Sequence, residues 1–408
     1  MQQAIAVVDP FFSGAVFNHT VKKMGHDFLV IQSNKNFDLP AIDHNKERHL
    51  VFDNNTQKIL ATCRALNVVA LFAGNENGVL LADSLSEKLG LVTNGTKLSL
   101  ARRHKGHMRD VFNRHDVPSP KHSTLKNPDK TDVLKAVTQM DLKYPVIIKT
   151  AMGFGTLCVY RCQSDTEIEM ALSGITQQDL TPFGIEGDDV VVEEYLEGTE
   201  YAVNMFGDGK KTRVTDIWKY EKIALNGRHN IYKSITLMAP HTKISRVVAD
   251  IAGRAVEALG IKYGPSHTEV MVTRAGPKII EVGARLSGGH LIELARRSGG
   301  YDVVRATIDV FKGSRPVLKK QHSQKFATTA ELYTEKKGVV KKIHGLKTIR
   351  RLPSFHQWHL GIKKGRAVEP TTSLVNSPGH VLLVHSSKER LKRDRNRCHQ
   401  VFKLEVAP

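Results

Sequence analysis

Cysteine is scarce in this sequence and follows no recognisable pattern. The chain of 408 residues has four cysteines, Cys63, Cys158, Cys162 and Cys398. No two of them form a C-x-x-C pair, and their spacing matches no zinc site, so neither a redox motif nor a cysteine-based metal centre is indicated. We therefore expect reduced, mostly structural thiols, as is typical of a cytoplasmic protein.

Long apolar runs and the common nucleotide signatures are also missing. No apolar stretch approaches the roughly 18 residues that a membrane-spanning helix needs, and the segment from Met1 to Asp9 lacks the basic region of a signal peptide. The first predicted strand is not followed by G-x-G-x-x-G, and G-x-x-x-x-G-K-S/T does not occur. Neither a dinucleotide fold nor a Walker A loop is therefore indicated. We expect a cytoplasmic protein that is neither secreted nor inserted in a membrane.

Acidic residues are outnumbered by basic ones. The chain has 60 Lys and Arg against 41 Asp and Glu, a formal net charge of +19. This excess favours an anionic partner, and nucleic acid is one candidate. The densest basic segments, 319–325, 336–347 and 388–397, have no interleaved aromatic residues, unlike a single-strand binder. A phosphorylated small molecule such as ATP would also benefit from a positive field, and we favour it over nucleic acid.

The chain divides into regions of different pattern. The first hundred residues alternate between predicted strands and helices, which is typical of a Rossmann-like parallel α/β layer. A predicted basic helix from Leu98 to His115 leads to a proline-containing segment that indicates a domain boundary. Past about Lys312 the chain becomes β-rich and basic. We predict a multidomain protein of mixed α/β and α+β class with four regions, residues 1–100, 101–190, 191–313 and 314–408.

The most informative feature is a predicted β-hairpin with a carboxylate on each strand. A turn rich in glycine and proline separates two β-rich runs, and a symmetric hairpin places Glu269 opposite Glu281. Because side chains alternate along a strand, Glu281, Gly283 and Arg285 share a face, as do His267 and Glu269. Opposed like charges destabilise a ladder, and carboxylates with phosphates are the usual ligands of Mg²⁺. We interpret the pair as a metal site; the alternative is two solvated glutamates with Arg285 as an ion-pair partner.

A glycine-bearing loop follows the end of an apolar strand at Lys149. The loop ends at Thr156 and returns directly into another strand. Backbone N–H groups at such a hairpin tip can approach phosphate oxygens, and a lysine adds a positive charge. Glycine at a hairpin tip is also consistent with an ordinary turn.

Acidic residues follow two other predicted strands. Glu193, Glu194 and Leu196 lie at the end of one, and Glu200 follows shortly after. Strand-end backbone can pair with an adenine edge while a carboxylate holds ribose hydroxyls; an acidic turn is the alternative. Glu76 lies after a strand in the first region, where it is either solvated or placed to hold a substrate amine.

The order of these elements resembles the ATP-grasp superfamily of carboxylate-amine ligases. Lysine, glycine loop, acidic hinge and carboxylate hairpin occur in succession, and the L-amino-acid ligase branch, whose members make dipeptides, is the most similar. The resemblance covers most of the chain. The stretches that carry it are 74–79, 102–105, 144–149, 153–156, 192–201, 264–269, 280–290, 352–355 and 377–380.

The resemblance implies an ATP-grasp fold with an N-terminal Rossmann-like domain and a β-rich C-terminal subdomain, and a role for each matching residue. Arg285 would be catalytic, stabilising an acyl-phosphate and its transition state. Glu269 and Glu281 would hold Mg²⁺, with Mn²⁺ as an alternative. The residues expected to bind ATP are Lys105, Lys149, Gly153, Phe154, Gly155, Thr156, Glu193, Glu194, Leu196 and Glu200. Those expected near the substrates are Glu76, His267, Gly288, Gly289 and His290. The wider superfamily often has Asn where this sequence has Gly283, so the number of Mg²⁺ ions stays open.

The implied reaction is formation of an amide or dipeptide bond through an acyl-phosphate, with release of ADP and phosphate. The expected partners are amino acids, with no nucleic acid and no membrane, and a homodimer is compatible with the resemblance. Within the superfamily the alternatives are a ligase joining an amino acid to a different kind of acid, and a carboxylase-like enzyme. The alternative of another class is a basic nucleic-acid-binding protein with an inactive nucleotide fold.

Overall fold

A computed structural model describes residues 2–35, 48–155, 158–175, 189–288, 290–318, 325–374 and 376–407. Two predicted site residues, Thr156 and Gly289, lie outside these ranges. All four cysteines are buried. Within the described ranges, no helix is both long enough and apolar enough to cross a membrane.

The N-terminal region is a parallel α/β layer, as predicted. Its four strands are parallel in the order β3-β2-β1-β4. Every residue of the first strand is buried, as expected for an apolar strand covered on both faces. Its elements are β1 (Ala4–Val8), a 3₁₀ helix (Phe12–Ala15), α1 (Val16–Lys23), β2 (Asp27–Gln32), β3 (Arg48–Val51), α2 (Thr56–Ala65), β4 (Val68–Ala73) and α3 (Val79–Lys88).

The next region forms a small antiparallel sheet, called here the lid sheet. Its strand order is β5-β8-β6-β7, and two helices bury their apolar faces against the Val- and Ile-rich central strands. Its elements are α4 (Lys105–Arg114), β5 (His122–Lys126), α5 (Lys130–Gln139), β6 (Val146–Thr150), β7 (Val159–Cys162), α6 (Asp165–Ser173) and β8 (Asp189–Glu194).

Helix α4 begins later than the sequence pattern indicates. The predicted helix from Leu98 is wrong in its first seven positions, because residues before His104 form turns. The His104 side chain accepts a hydrogen bond from the His107 N–H and caps the helix. Upstream, the buried Arg102 guanidinium donates to the Leu259 carbonyl at 3.1 Å, a long-range contact that helical periodicity cannot reveal.

The third region contains the long hairpins of the protein. Helix α7 packs its apolar face on the adjacent strands β9, β12 and β13, around the largest apolar cluster of the described residues. The elements are β9 (Gly198–Asp208), β10 (Thr212–Leu225), β11 (Arg228–Leu237), α7 (Lys243–Ala258), β12 (Tyr263–Thr273), β13 (Gly276–Gly283), α8 (Leu291–Arg297) and α9 (Val303–Phe311).

The last region is β-rich, as predicted, and continues the same sheet. Strands β14, β18 and β16 extend the third region's sheet, giving the order β13-β12-β9-β10-β11-β14-β18-β16, while β17-β15-β19 form a separate small sheet. Its elements are β14 (Phe326–Leu332), β15 (Gly338–His344), α10 (Leu346–Arg350), β16 (Phe355–Leu360), β17 (Ala367–Val368), β18 (Gly379–His385), α11 (Lys388–Val401) and β19 (Lys403–Ala407). The boundary at 190/191 falls inside β8, and the four-region division stays a prediction.

Candidate active site

The carboxylate hairpin opposes the two glutamates as predicted, but it is not the symmetric hairpin that the prediction assumed, because the turn pairs Thr273 with Gly276 and a β-bulge shifts the register by one residue. Strands β12 and β13 pair antiparallel with Glu269 directly opposite Glu281, and a β-bulge follows at Glu269/Val270. Both side chains are mostly buried, at 23% and 19% exposure. Burial opposes the charge of Glu269, but His267, Lys222 and Arg285 hold the pKa of this carboxyl below its usual value. Glu269 is therefore ionised at neutral pH.

Lys105 connects the hairpin to the glycine loop. Its Nζ lies 3.0 Å from Glu281 Oε1 and donates a hydrogen bond of 2.5 Å to the Gly153 carbonyl. The lysine is the first residue of α4 and is buried, so the helix start fixes the position of the ammonium group. One cation thus lies between the proposed metal ligands and the proposed phosphate loop.

Arg285 pairs with a residue of the N-terminal region. Its Nη2 and Nε lie 2.7 and 3.3 Å from Glu76 Oε2, and its Nη1 donates to the Leu286 carbonyl at 2.9 Å. Although burial opposes its charge, the neighbouring Arg285, Arg103 and Lys105 lower the pKa of Glu76 to about 2. Glu76 is thus ionised and forms an ion pair with Arg285.

Gly283 provides the room that this ion pair occupies. A Cβ atom at this position would lie 3.1 Å from Glu76 Oε1 and 3.2 Å from Arg285 Cζ. Both distances are tighter than an ordinary Cβ contact. A larger residue here would displace the pair.

Lys149 and Glu193 meet in a buried cluster of the lid sheet. Lys149 Nζ lies 2.6 Å from Glu193 Oε2, and Arg109 Nη2 lies 2.9 Å from Glu193 Oε1. Burial lowers the pKa of Lys149, although Glu193 opposes this effect. Burial disfavours the charge of Glu193 too, but Arg109 and Lys149 hold its pKa below the usual value. The two cations thus compensate one carboxylate.

The hinge glutamates point in different directions. Glu194 contacts the Lys278 ammonium and accepts a hydrogen bond of 3.2 Å from the Lys121 N–H. Glu200 lies in β9, where its Oε2 is 2.6 Å from Lys222 Nζ. Burial raises the pKa of Glu200, and Lys222 opposes this rise.

His267 lies beside the first metal-ligand candidate. Its Nδ1 is 2.7 Å from Asn204 Oδ1, and its Nε2 is 3.8 Å from Glu269 Oε1. Tyr220 Oη lies 3.5 Å from the same Nε2. These contacts fix the imidazole ring of His267 next to the Glu269 carboxylate.

One cavity of about 1500 Å³ collects these residues. A typical single-ligand site has roughly 300–1,000 Å³, so this volume has room for more than one ligand. Every predicted site residue that the structure describes lines this cavity. These are Glu76, Lys105, Lys149, Gly153, Phe154, Gly155, Glu193, Glu194, Leu196, Glu200, His267, Glu269, Glu281, Arg285, Gly288 and His290.

Two family models match the chain. The ATP-grasp domain matches residues 142–293, and the L-amino acid ligase C-terminal domain 2 matches residues 331–407. The chain contains an ATP-grasp domain and an L-amino acid ligase C-terminal domain. The resemblance to ATP-grasp ligases, inferred from the motifs, is thus confirmed, and ATP is the nucleotide that an ATP-grasp domain takes.

Individual proteins show the same similarity. Dapdiamide A synthase from Enterobacter agglomerans is 28% identical over 279 residues, which cover 67% of this chain and 64% of that relative, slightly less than two thirds of its length. An L-amino acid ligase from Bacillus licheniformis has a TM-score of 0.80 at 18% identity, over 100% of this chain and 99% of that one. Carboxyaminoimidazole ribonucleotide synthase from Aspergillus clavatus, complexed with ATP, has a TM-score of 0.73 at 13% identity, over 96% of both chains. The structural matches confirm the predicted ATP-grasp fold.

The ATP-grasp domain does not complete the cavity alone. Residues 142–293 supply the glycine loop, the hinge, the hairpin and Arg285. Glu76 and Lys105 come from the preceding part of the chain, and they hold Arg285 and Glu281 respectively. The polar groups of the cavity are therefore coupled across regions.

Several residues of the cavity were not predicted from the sequence. Lys222 and Tyr220 lie on β10 beside Glu200 and His267, and their i, i+2 spacing places both on one face of that strand. Arg109 had no signal, since it reaches Glu193 from a helix of another region. A third group, His359, His380 and Glu331, comes from the last region of the chain.

Proposed function

We propose that this chain is an ATP-dependent carboxylate-amine ligase that joins two amino acids through an acyl-phosphate and releases ADP and phosphate. The observation that carries this proposal is the opposed pair Glu269 and Glu281 in one cavity with Lys105 and Arg285. The names of two similar proteins, dapdiamide A synthase and L-amino acid ligase, support the same class of reaction.

The nucleotide would lie between the lid sheet and the hairpin. Lys105 and Lys149 are the cations placed for the phosphates, and Gly153–Gly155 offer backbone N–H groups to them. The segment from Glu193 to Leu196 would hold adenine, and Glu200 the ribose. The ion pairs of Lys149 with Glu193 and of Lys222 with Glu200 support this arrangement, because they fix the side chains before a ligand arrives.

The hairpin carboxylates fit a hard divalent cation. Glu269 and Glu281 are opposite each other on adjacent strands and both line the cavity, and oxygen ligands are those that Mg²⁺, and also Mn²⁺, prefers. These two residues would hold Mg²⁺, which would offset charge on the ATP phosphates. Gly283 adds no side-chain ligand, so this chain offers two carboxylates where an Asn would have added a third group.

The chemistry follows from the charges that line the cavity. An oxygen of the acid substrate attacks the γ-phosphorus of ATP, and the bond to the β-phosphate oxygen breaks as ADP leaves. The amine nitrogen of the second substrate then attacks the acyl carbon, phosphate leaves, and the nitrogen loses a proton to give the amide. Arg285 and Lys105 balance the charge that develops on the transferring oxygens.

The acyl-phosphate must be protected from water. Phe154 of the glycine loop lies 6.2 Å, between ring centroids, from Phe12 of the N-terminal region. This contact bridges the loop and the opposite wall of the cavity, as a closing lid requires.

The test is phosphate release from ATP and Mg²⁺ with every pair of amino acids, together with detection of dipeptides by mass spectrometry. We expect activity with at least one pair, and its loss in Glu281→Gln but not in the exposed control Glu257→Gln. If phosphate is released only with acids that are not amino acids, the protein is instead a ligase that joins an amino acid to a different kind of acid. Salt-dependent binding of oligonucleotides without ATP turnover would overturn the ligase altogether.

A further inference from the structure

A second group of metal-ligand residues lies on the wall of the cavity formed by the last region. Three neighbouring strands place one such residue each in register. Glu331 on β14 is opposite His380 on β18, and His380 is in turn opposite His359 on β16. The three side chains therefore form one row across the sheet, and all three line the cavity.

A fourth residue packs on this row from outside the sheet. His290, the residue before α8, stacks on His359 with ring centroids 3.7 Å apart and planes 10° from parallel. Its ring centroid lies 4.3 Å from that of His380. One ring nitrogen from each of these histidines lies within 4.8 Å of the other two. We call His290, His359 and His380 the histidine cluster.

One polar atom of this cluster lacks the partner that its burial demands. His380 Nε2 is buried and has no hydrogen-bond partner. The buried Glu331 does not supply one: its carboxyl is hydrogen-bonded to Thr329, and its Oε2 lies 4.0 Å from the other ring nitrogen of His380, Nδ1. Buried polar groups are nearly always paired, and an exception calls for an ion, a water or a ligand. The unpaired His380 Nε2 points to a missing ligand.

The histidines are also in the right protonation state to be ligands. Burial lowers the pKa of His290 to about 4 and that of His380 to about 3, with the neighbouring rings adding to the effect. Burial also lowers the pKa of His359. At neutral pH the imidazoles are uncharged, and a metal-binding histidine must be neutral.

We propose that the histidine cluster binds a divalent transition-metal ion of the zinc class, with the Glu331 carboxyl beside it, 4.0 Å from His380 Nδ1. Imidazole suits Zn²⁺, Co²⁺ and Ni²⁺ but not Mg²⁺, which prefers oxygen, so the site differs chemically from Glu269 and Glu281. The ion completes the coordination of the unpaired nitrogen of His380.

Binding requires a small rearrangement of the rings. Zinc–nitrogen bonds of about 2.0–2.1 Å in a tetrahedral site bring ligand nitrogens to about 3.3 Å from one another, closer than the present limit of 4.8 Å. Because the lone pair of an imidazole lies in the ring plane, the parallel stack of His290 on His359 must open. We expect rotation about the side-chain torsions of one ring to open this stack.

The position of the histidine cluster indicates that a bound ion would contact a substrate. Three histidines leave one tetrahedral position free, and the cluster lines the same cavity as Gly288 and Arg285. A donor atom of a substrate can therefore occupy the fourth position. The ion would anchor one substrate at a distance from the phosphates.

The proposal is tested by titrating the untagged full-length chain with Co²⁺ in excess Mg²⁺, which keeps the hairpin carboxylates occupied. Binding is followed by equilibrium dialysis and by the visible absorption of tetrahedral Co²⁺. We expect one tightly bound Co²⁺ per chain. His359→Ala and His380→Ala should weaken binding by more than about 100-fold, which exceeds the usual cost of losing a residue that only orients a metal ligand.

Two further variants separate this site from its surroundings. Glu281→Gln should bind Co²⁺ as the wild type does, so the result does not depend on ligase activity. His241→Ala, which removes an exposed histidine before α7, should also leave binding unchanged. Equal Co²⁺ binding by wild type and His359→Ala, or no tight binding by the wild type, would overturn the proposal and make the cluster a packing contact. If His380→Ala does not fold, the more exposed His359 still decides the question.

Discussion

Arg285 and Glu76 form a buried ion pair that joins the end of β13 to the loop after β4, across 209 positions of the chain. Both Nη2 and Nε of the arginine are directed to the same oxygen, Glu76 Oε2. This pair fixes the guanidinium next to the hairpin carboxylates and uses the space beside Gly283. The orientation of the proposed catalytic arginine is thus set jointly by Glu76 of the N-terminal region and by the Leu286 carbonyl of the ATP-grasp domain.

The first prediction concerns Gly283→Asn. The new side chain would enter the volume of Glu76 and Arg285, because even its Cβ would lie 3.1–3.2 Å from them. We expect ligase turnover to fall by at least about 100-fold, since misplacing a charge-stabilising group by about 1 Å has effects of this size. The measurement is ATP-dependent phosphate release at saturating substrates.

A matched control is Gly253→Ala in α7. A Cβ there has only Met205 Cε within 4 Å, at 3.8 Å, and replacing glycine by alanine inside a helix stabilises by about 0.5–1 kcal/mol. This variant should keep full turnover. Full turnover in Gly283→Asn as well would mean that the position of the ion pair does not matter to the reaction.

The hairpin was predictable from sequence because its determinants are local. A turn of Gly and Pro between two β-rich runs predicts the hairpin. Its Thr273–Gly276 pairing alone would set Glu269 opposite Ile280, and the β-bulge at Glu269/Val270 adds the one residue that brings Glu281 opposite Glu269. The predicted strand end at Lys149 rests on the same kind of local signal, and β6 ends one residue later, at Thr150. Strand alternation therefore gave the faces of the hairpin before any tertiary contact was known.

The partners of these residues were not predictable in the same way. Lys105 with Glu281 and Arg109 with Glu193 connect a helix to strands far along the chain, and no periodicity relates them. The histidine cluster shows the same limit. His290 was expected only near a substrate, because the strands that bring His359 and His380 to it join the large sheet through long-range pairing.

A second prediction concerns Lys105→Met, which keeps the length of the side chain and removes its charge. Lys105 holds both Glu281 and the Gly153 carbonyl, so its loss disconnects the hairpin from the glycine loop. We expect phosphate release to drop by about 10²–10³-fold, as for the loss of one charge-stabilising donor, and the KM for ATP to rise. The exposed Lys97→Met is the control and should change neither quantity. A drop in turnover with an unchanged KM for ATP would show that Lys105 does not contribute to ATP binding.

A third prediction concerns the buried charges of the lid sheet. Glu193→Gln leaves Lys149 and Arg109 buried without their carboxylate. Breaking a buried ion pair costs about 3–5 kcal/mol, which corresponds to exchange of amide hydrogens about 10²–10³-fold faster or more. Hydrogen exchange of the β6 and β8 amides measures this local stability.

The control for the lid sheet is Arg297→Ala. It removes an exposed ion pair with Glu293 in α8, where Arg297 is 52% exposed, and such pairs contribute at most about 1 kcal/mol. We expect no change in the exchange of β6 and β8. Unaltered exchange in Glu193→Gln would show that the cluster tolerates two uncompensated cations.

The last prediction is a pH dependence that originates in the N-terminal sheet. Asp9 is fully buried at the end of β1, and its carboxylate accepts hydrogen bonds from Ser33 N–H at 2.8 Å and Ser33 Oγ at 2.5 Å. Burial raises its pKa to about 6, although the Ser33 hydrogen bonds oppose the rise. The folded chain therefore holds this proton more tightly than the unfolded chain, whose Asp pKa is about 3.9.

The sign of the effect follows from this difference. Between about pH 4 and pH 6 the folded state binds more protons than the unfolded state, so stability decreases as the pH rises through this window. Asp9→Asn cannot ionise, and Asn tolerates the positive φ of 53° at this position. The difference in unfolding free energy between the variant and the wild type should therefore shift in favour of the variant by about 2–3 kcal/mol from pH 4 to pH 7.5. Urea unfolding at both pH values measures it, and a difference that does not change with pH would mean that Asp9 ionises normally in the folded chain.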